Sequence, residues 1–419
     1  MRFYINWQIK MKLKRLFLLL AIVAVSACVD DSTDGTSGDD DELSFDFTAM
    51  FANMADNIIL PNYEAVMTAA TTFAGDSGSI ATYCNALGGP DEAVARTTAQ
   101  TAWRQIMDDW QRAEQHLLGP VLDNNSALRN RVLSYNTGAL STCGIDQAVV
   151  QAQAAGFTVT TKSFNQRGLG AVEYLLFNND LSHTCPSQIT ETTDWNARPV
   201  LERQQWRCEY ALLLAADIES ATTALYNAWL PSAGNYRSSF VNPEETKDGL
   251  DALTDAIFYL DTDVKDTKLG LPTGIASACS DFSCPTRVES PYSEHSLNNI
   301  QTNLESFLTL FNGGDGLGFD DLIVAAGFAD VSTEFVEQTE AAIAFINTIN
   351  DSLIAQANAI DSTAEEDECS NAAANPGTAS SFMACDLYGL VKRITDDLKT
   401  DFVTIVNVDL PDRAQSDND

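Results

Sequence analysis

Two residues within Ser163–Asn178 (SFNQRGLGAVEYLLFN) carry the strongest chemical signal in the chain. At helical spacing Glu173 has Leu169 at i−4 and Leu176 and Phe177 at i+3 and i+4, which sets a carboxylate inside an apolar stripe. Burying an acid there is expensive unless it is paired or coordinated. One turn earlier stands Gly170. It costs a helix interior about 1 kcal/mol relative to alanine, and its missing Cβ leaves room beside the acid for a ligand or a close helix crossing. A second acid shares a stripe with aromatic residues. Trp103, Met107, Trp110 and Glu114 follow at helical steps, and Arg104 lies roughly 80° away around the axis, at about 100° per residue. A third cluster is Glu289–Asn299 (ESPYSEHSLNN). It reads either as a loop capping a helix that starts at Ser293, or as a polar patch at a helix N-terminus holding an anion or a metal-bound ligand.

The remaining inventory narrows the chemistry. His116, His183 and His295 are the three histidines, and none stands in the HExxH spacing that catalytic zinc uses. No GxSxG elbow is present for a serine nucleophile. Gly313–Gly318 lacks the lysine and hydroxyl of a phosphate loop and reads as a turn. Carboxylate oxygens remain, and these suit hard divalent or trivalent cations, or their chelates, better than zinc. A net charge of −35 argues against nucleic acid, whose affinity comes mostly from cationic contacts to phosphate.

The elements that must position these groups are helical. Spacing predicts helices over residues 46–73, 95–118, 127–140, 145–155, 162–177, 199–229, 244–262, 293–311, 333–356 and 382–400. Residues 402–408 form the single strand-like piece. The fold class is all-α, with two helical bundles, 46–235 and 236–411, followed by a polar tail at 412–419. The boundary is placed in Leu230–Asn242, where Pro, Gly and Ser cluster between two long helices.

The first 28 residues read as an export signal. Lys10, Lys12, Lys14 and Arg15 precede the apolar run Leu16–Val25, which is too short to span a bilayer of roughly 30 Å. Ser26-Ala27-Cys28 resembles a bacterial lipobox, in which Cys28 is lipidated and becomes the mature N-terminus. Residues 29–45 are acidic and polar, a disordered tether from a lipid-anchored N-terminus. The expected location is the bacterial cell envelope, at the outer membrane. Beyond Cys28 there are eight cysteines, an even number that suggests disulfides in an oxidising compartment. Near-neighbour pairs are expected, Cys279–Cys284 and Cys369–Cys385 first.

Several segments together resemble the imelysin family, bacterial envelope proteins also classed as M75 peptidases. They are Ile58–Tyr63 (IILPNY), Thr101–Val121 (TAWRQIMDDWQRAEQHLLGPV), Arg167–Phe177 (RGLGAVEYLLF), Thr267–Gly274 (TKLGLPTG) and Glu289–Ile300 (ESPYSEHSLNNI). The resemblance implies two helical domains facing each other across a cleft, and association with iron or haem uptake components at the membrane. The family signature GxHxxE, proposed as a metal site, aligns with Gly168–Glu173, so the histidine position is Gly170 and the glycine and glutamate carry over. A lone glutamate does not hold catalytic zinc tightly. The resulting reading is a non-catalytic, lipid-anchored binding component of iron acquisition. Its ligand-binding candidates are Arg104, Glu114, Gly168, Gly170, Glu173, Glu289, Ser293, Ser296 and Asn299, with Glu173 as the candidate metal ligand and no catalytic residue assigned. The alternatives are an M75-type metallopeptidase using Glu173, and a surface interaction lipoprotein with an acidic face.

Overall fold

The computed structural model describes residues 45–415. The expected export signal, Cys28 and nearly all of the expected tether lie outside these residues. Among the described residues all regular structure is helical. Helix α1 (Phe47–Asn53) is capped by the Asp46 side chain, which accepts from the Ala49 amide at 2.9 Å. It runs through a π-helical segment (Met54–Ile59) into α2 (Leu60–Ala74), with Pro61 at the junction of the two. There follow α3 (Ser79–Ala86), α4 (Glu92–Glu114), α5 (Asp123–Val132), α6 (Thr142–Gln151), α7 (Gly168–Phe177) and α8 (Val200–Trp229). Helix α4 buries Trp103, Met107, Trp110 and Glu114 as its spacing predicts, and it buries Gln111 as well. It packs on α2 and α7, while α8 packs on α2 and α7 from the other side.

The second half comprises α9 (Tyr236–Val241), α10 (Thr246–Ile257), an 11-residue π-helical segment (Leu260–Gly270), α11 (Ser296–Asn312), α12 (Phe319–Ala325), α13 (Ala329–Ile346), α14 (Leu353–Ala359), α15 (Thr363–Ala374), α16 (Met383–Asp397), a π turn (Leu398–Phe402), α17 (Val403–Val406) and α18 (Asp412–Gln415). Helix α11 lies against α4, and α16 lies against the long π segment. One apolar core runs from Met50 to Ala414 through both halves.

Several expected bounds shift. The strand-like piece 402–408 is helical through Val406 instead, because Leu398, Phe402 and Val406 repeat every fourth residue and are all buried. Phe402 packs edge-on to Phe319, with ring centroids 5.0 Å apart. The helix predicted from residue 162 begins at Gly168, since Arg167 is extended and Gly168 takes φ +69°. The predicted helix 127–140 ends at Val132, and 333–356 divides into α13 and α14. Helix α11 starts at Ser296, not Ser293. The four disulfides include Cys279–Cys284 and Cys369–Cys385 as expected. The other two are Cys84–Cys208 and Cys143–Cys185, not the near-neighbour pairs, because packing α3 on α8 brings Cys84 beside Cys208. Among the described residues no helix is long and apolar enough to cross a membrane.

Candidate functional site

Every residue of α7 except Gly170 is buried. Its start is fixed by two contacts. The Arg167 guanidinium donates from Nε to Asp217 Oδ2 at 3.0 Å, and the Gly168 backbone lies so close to α5 that a Cβ there would sit 2.5 Å from the Val132 carbonyl oxygen. Glycine is required at 168 by this approach and by its left-handed φ.

Five residues on, Glu173 is 1% exposed. Its Oε1 accepts from the Tyr292 amide at 2.9 Å, the Ser293 amide at 2.7 Å and the Ser293 hydroxyl at 2.8 Å. The anion that the Glu289–Asn299 patch holds is therefore the protein's own carboxylate. Burial pushes this carboxyl up to about 7; the hydrogen bonds from Ser293 and Tyr292 oppose the shift, and the charge on Glu289 adds to it. No cation is among the groups that move it. The turn that supplies the donors is bracketed by Ser290 and Glu294, both at positive φ (+54° and +53°), the kind of strain that clusters at binding sites.

Beside the carboxyl lies a cavity of about 240 Å³. Its walls are Leu133, Tyr135 and Leu140 from the α5–α6 connection, Gly170 and Glu173 from α7, and the Val288–Tyr292 segment. A Cβ built on Gly170 would meet just the Leu140 Cδ1, at 3.3 Å. No helix crosses there, so the glycine opens the cavity. It also stands in the first turn of α7, where its cost to the helix is small.

Behind Glu289 a buried polar network joins the two halves of the chain. Lys268, 1% exposed, lies 3.2 Å from Glu289 Oε2 and 3.7 Å from Glu114 Oε2. It also donates to Gln111 Oε1 and, at 3.0 Å, to Asn303 Oδ1. Glu114 accepts from Arg129 at 3.2 Å and from the Tyr259 hydroxyl at 3.0 Å. Burial raises the Glu114 carboxyl, against the pull of Lys268 and Arg129. Arg129 reaches Asp263 at 2.9 Å, and these two residues line a second, wider cleft of about 800 Å³ with Asp251, Asp255, Asp412 and Arg413.

Of the sequence candidates, Glu173, Gly170 and Glu289 share the cavity wall. Ser293 binds Glu173. Ser296 donates to the Glu289 carbonyl, and Asn299 donates to Glu289 Oε2 at 2.8 Å and Ser290 Oγ at 3.1 Å. Glu114 is one lysine removed from the cavity. Arg104 instead lies over the Phe177 ring, 4.8 Å from its centroid, and does not line the cavity. Gly168 holds backbone geometry. The histidines stay apart: His295 Nε2 is 2.7 Å from Asp108, His116 is buried against Asn62, with burial holding its imidazole down to about 3, and His183 accepts from the Cys185 amide. Local spacing does not mark Lys268, Arg129, Gln111 or Tyr135 as site residues. Lys268 has a legible signal, since it stands among Val264, Leu269 and Leu271 at the edge of the imelysin-like Thr267–Gly274 segment.

A family model for imelysin (peptidase M75) matches residues 59–380. The chain belongs to the imelysin family. Among solved structures, an imelysin-like protein from Psychrobacter arcticum 273-4 superposes with a TM-score of 0.62 at 13% identity, covering 87% of this chain and 96% of the other. A protein from Parabacteroides distasonis ATCC 8503, classed as an iron-regulated protein A precursor, superposes with a TM-score of 0.57 at 17% identity, covering 88% and 98%. No curated protein matches. At these identities the neighbours establish the imelysin-like helical fold.

The residues present do not fit a bare metal ion. Glu173 Oε1 is filled by three protein donors, Glu289 is held by Lys268 and Asn299, and the cavity wall contains no histidine or cysteine. Among the described residues no group of three or more His, Cys, Asp or Glu is arranged to hold a metal.

Proposed function

We propose that this imelysin-family chain is a non-catalytic binding component of iron acquisition, held in the bacterial envelope by lipid on Cys28, and that it takes its ligand in the cavity beside Gly170 and Glu173. The observation that carries this reading is a fixed carboxyl on the wall of a cavity that a single missing side chain opens. Small-molecule sites have this character, mostly apolar walls with a few placed polar groups. The four disulfides support an oxidising compartment, and the iron-regulated designation of one structural neighbour supports the link to iron. The donor set favours iron that arrives with its own ligands over a free ion.

The test presents ferric iron, free and as small hydroxamate complexes, to the purified mature protein and quantifies what is retained. Retention of complexed iron that falls about tenfold or more in both Glu173→Ala and Gly170→Leu is the expected result. Retention indifferent to both substitutions sinks the reading. Chelator-sensitive peptide cleavage that disappears in Glu173→Ala would instead assign the chain to the peptidases.

A further inference from the structure

Among the described residues most buried carboxylates are matched with cations; Asp386, near the start of α16 and 3% exposed, is held by the Gly377 amide instead. Asp217 faces Arg131 at 2.8 Å as well as Arg167, Asp261 faces Lys265 at 3.0 Å and Lys399 at 3.1 Å, Asp263 faces Arg129, and Glu289 faces Lys268. Glu173 is buried as deeply and has none. Lys268, the cation nearest in the network, is already engaged between Glu114 and Glu289.

The donors that do reach Glu173 all fall on Oε1. Oε2 is the oxygen left for a visitor, on the wall of a cavity that Gly170 keeps open. That wall holds two carboxylates, Glu173 and Glu289, and no lysine, arginine or histidine. An anionic ligand would meet no cation on that wall. A bare metal ion would find one free oxygen of Glu173, with neutral hydroxyls as the wall's remaining uncommitted side-chain oxygens. A nitrogen cation answers both deficits, supplying the missing counter-charge and an N–H for Oε2 as a charge-assisted hydrogen bond. Its hydrocarbon would lie on Leu133, Leu140 and Val288, with the Tyr135 and Tyr292 rings available to the charge. The volume, about 240 Å³, equals that of roughly eight liquid waters at about 30 Å³ each, enough for a small amine.

We propose that this cavity recognises an organic cation, an ammonium- or amidinium-bearing small molecule or the cationic arm of a larger complex, with its N–H on Glu173 Oε2. The assignment rests on the reading of the cavity as the binding site. Calorimetric titration of the purified mature protein with benzylammonium, benzyl alcohol and benzoate, three ligands of similar size and different charge, separates the two. Benzylammonium is expected to bind about tenfold or more tightly than benzoate. Glu173→Gln should cost it about tenfold while leaving benzyl alcohol within about twofold, and Gly170→Leu, which fills the opening against Leu140, should abolish all three. Benzoate binding as well as the ammonium, or ammonium binding indifferent to Glu173→Gln, overturns the cationic class; the cavity reading survives if Gly170→Leu still blocks benzyl alcohol. No binding of any of the three to the wild type overturns both. If Glu173→Gln does not fold, the order of the three affinities on the wild type and their loss in Gly170→Leu decide the matter.

Discussion

Glu173 fixes the Tyr292–Ser293 turn to α7 by three hydrogen bonds to one oxygen, and its charge has a cost that depends on pH. The folded chain raises this carboxyl from 4.5 to about 7, so the native state binds its proton more tightly than the unfolded state does. That contribution is present in full below pH about 4.5 and is lost as pH rises through about 7, roughly 3 kcal/mol in all. Glu289 and Tyr292 face the carboxyl from the opposing segment, and neither offers a compensating cation. Urea unfolding at pH 5 and pH 8 should show the loss, and Glu173→Gln should flatten it. An unchanged slope in that variant would mean the burial of Glu173 is not its cause. The anomaly at this residue is legible in the sequence, because an acid among leucines at helical spacing must be satisfied somehow. The identity of its partners is not, because Tyr292 and Ser293 are more than a hundred positions away.

At the scale of elements, α7 and the 260–270 segment position the site, and neither has the bounds that local spacing predicts. Helix α7 is delayed to Gly168 by the Arg167–Asp217 pair and by the carbonyl of Val132. Neither lies within a local sequence window. The long π-helical stretch carries Lys268 to Glu289 and Glu114, at a place where a 3.6-residue reading ends the helix early, at residue 262. Segments of this type recur at functional sites. Lys268→Met should expose what the lysine does. It leaves Glu114 and Glu289 buried without their shared cation, and removing one partner of a buried pair costs about 3–5 kcal/mol. Chemical denaturation measures it; a loss below about 1 kcal/mol, the range of exposed pairs, would show that the two acids are satisfied without Lys268.

At the scale of the molecule, α4 and α11 join the first and second halves, and the disulfides close loops of very different length. Cys84–Cys208 spans 124 residues and Cys279–Cys284 spans 5. Restriction of the unfolded chain predicts about 5 kcal/mol from the first and about 2 kcal/mol from the second. Paired serine substitutions, compared by thermal unfolding, should reproduce that order. The reverse order would show that local strain or residual structure outweighs chain entropy here.

The sequence by itself determined the helical class, the family, the acid at 173 and the gap at 170, because periodicity, spacing and a missing Cβ are local properties written in residue order. It also identified the polar cluster at 289–299, though not its use. Tertiary structure alone decided that this cluster clasps Glu173, that Lys268 serves two acids, that Cys84 meets Cys208, and that the space beside Gly170 is a cavity, not a helix crossing. Each depends on which distant segments pack together, and a long-range contact is fixed by the summed burial of whole helix faces, not by the residues that happen to meet.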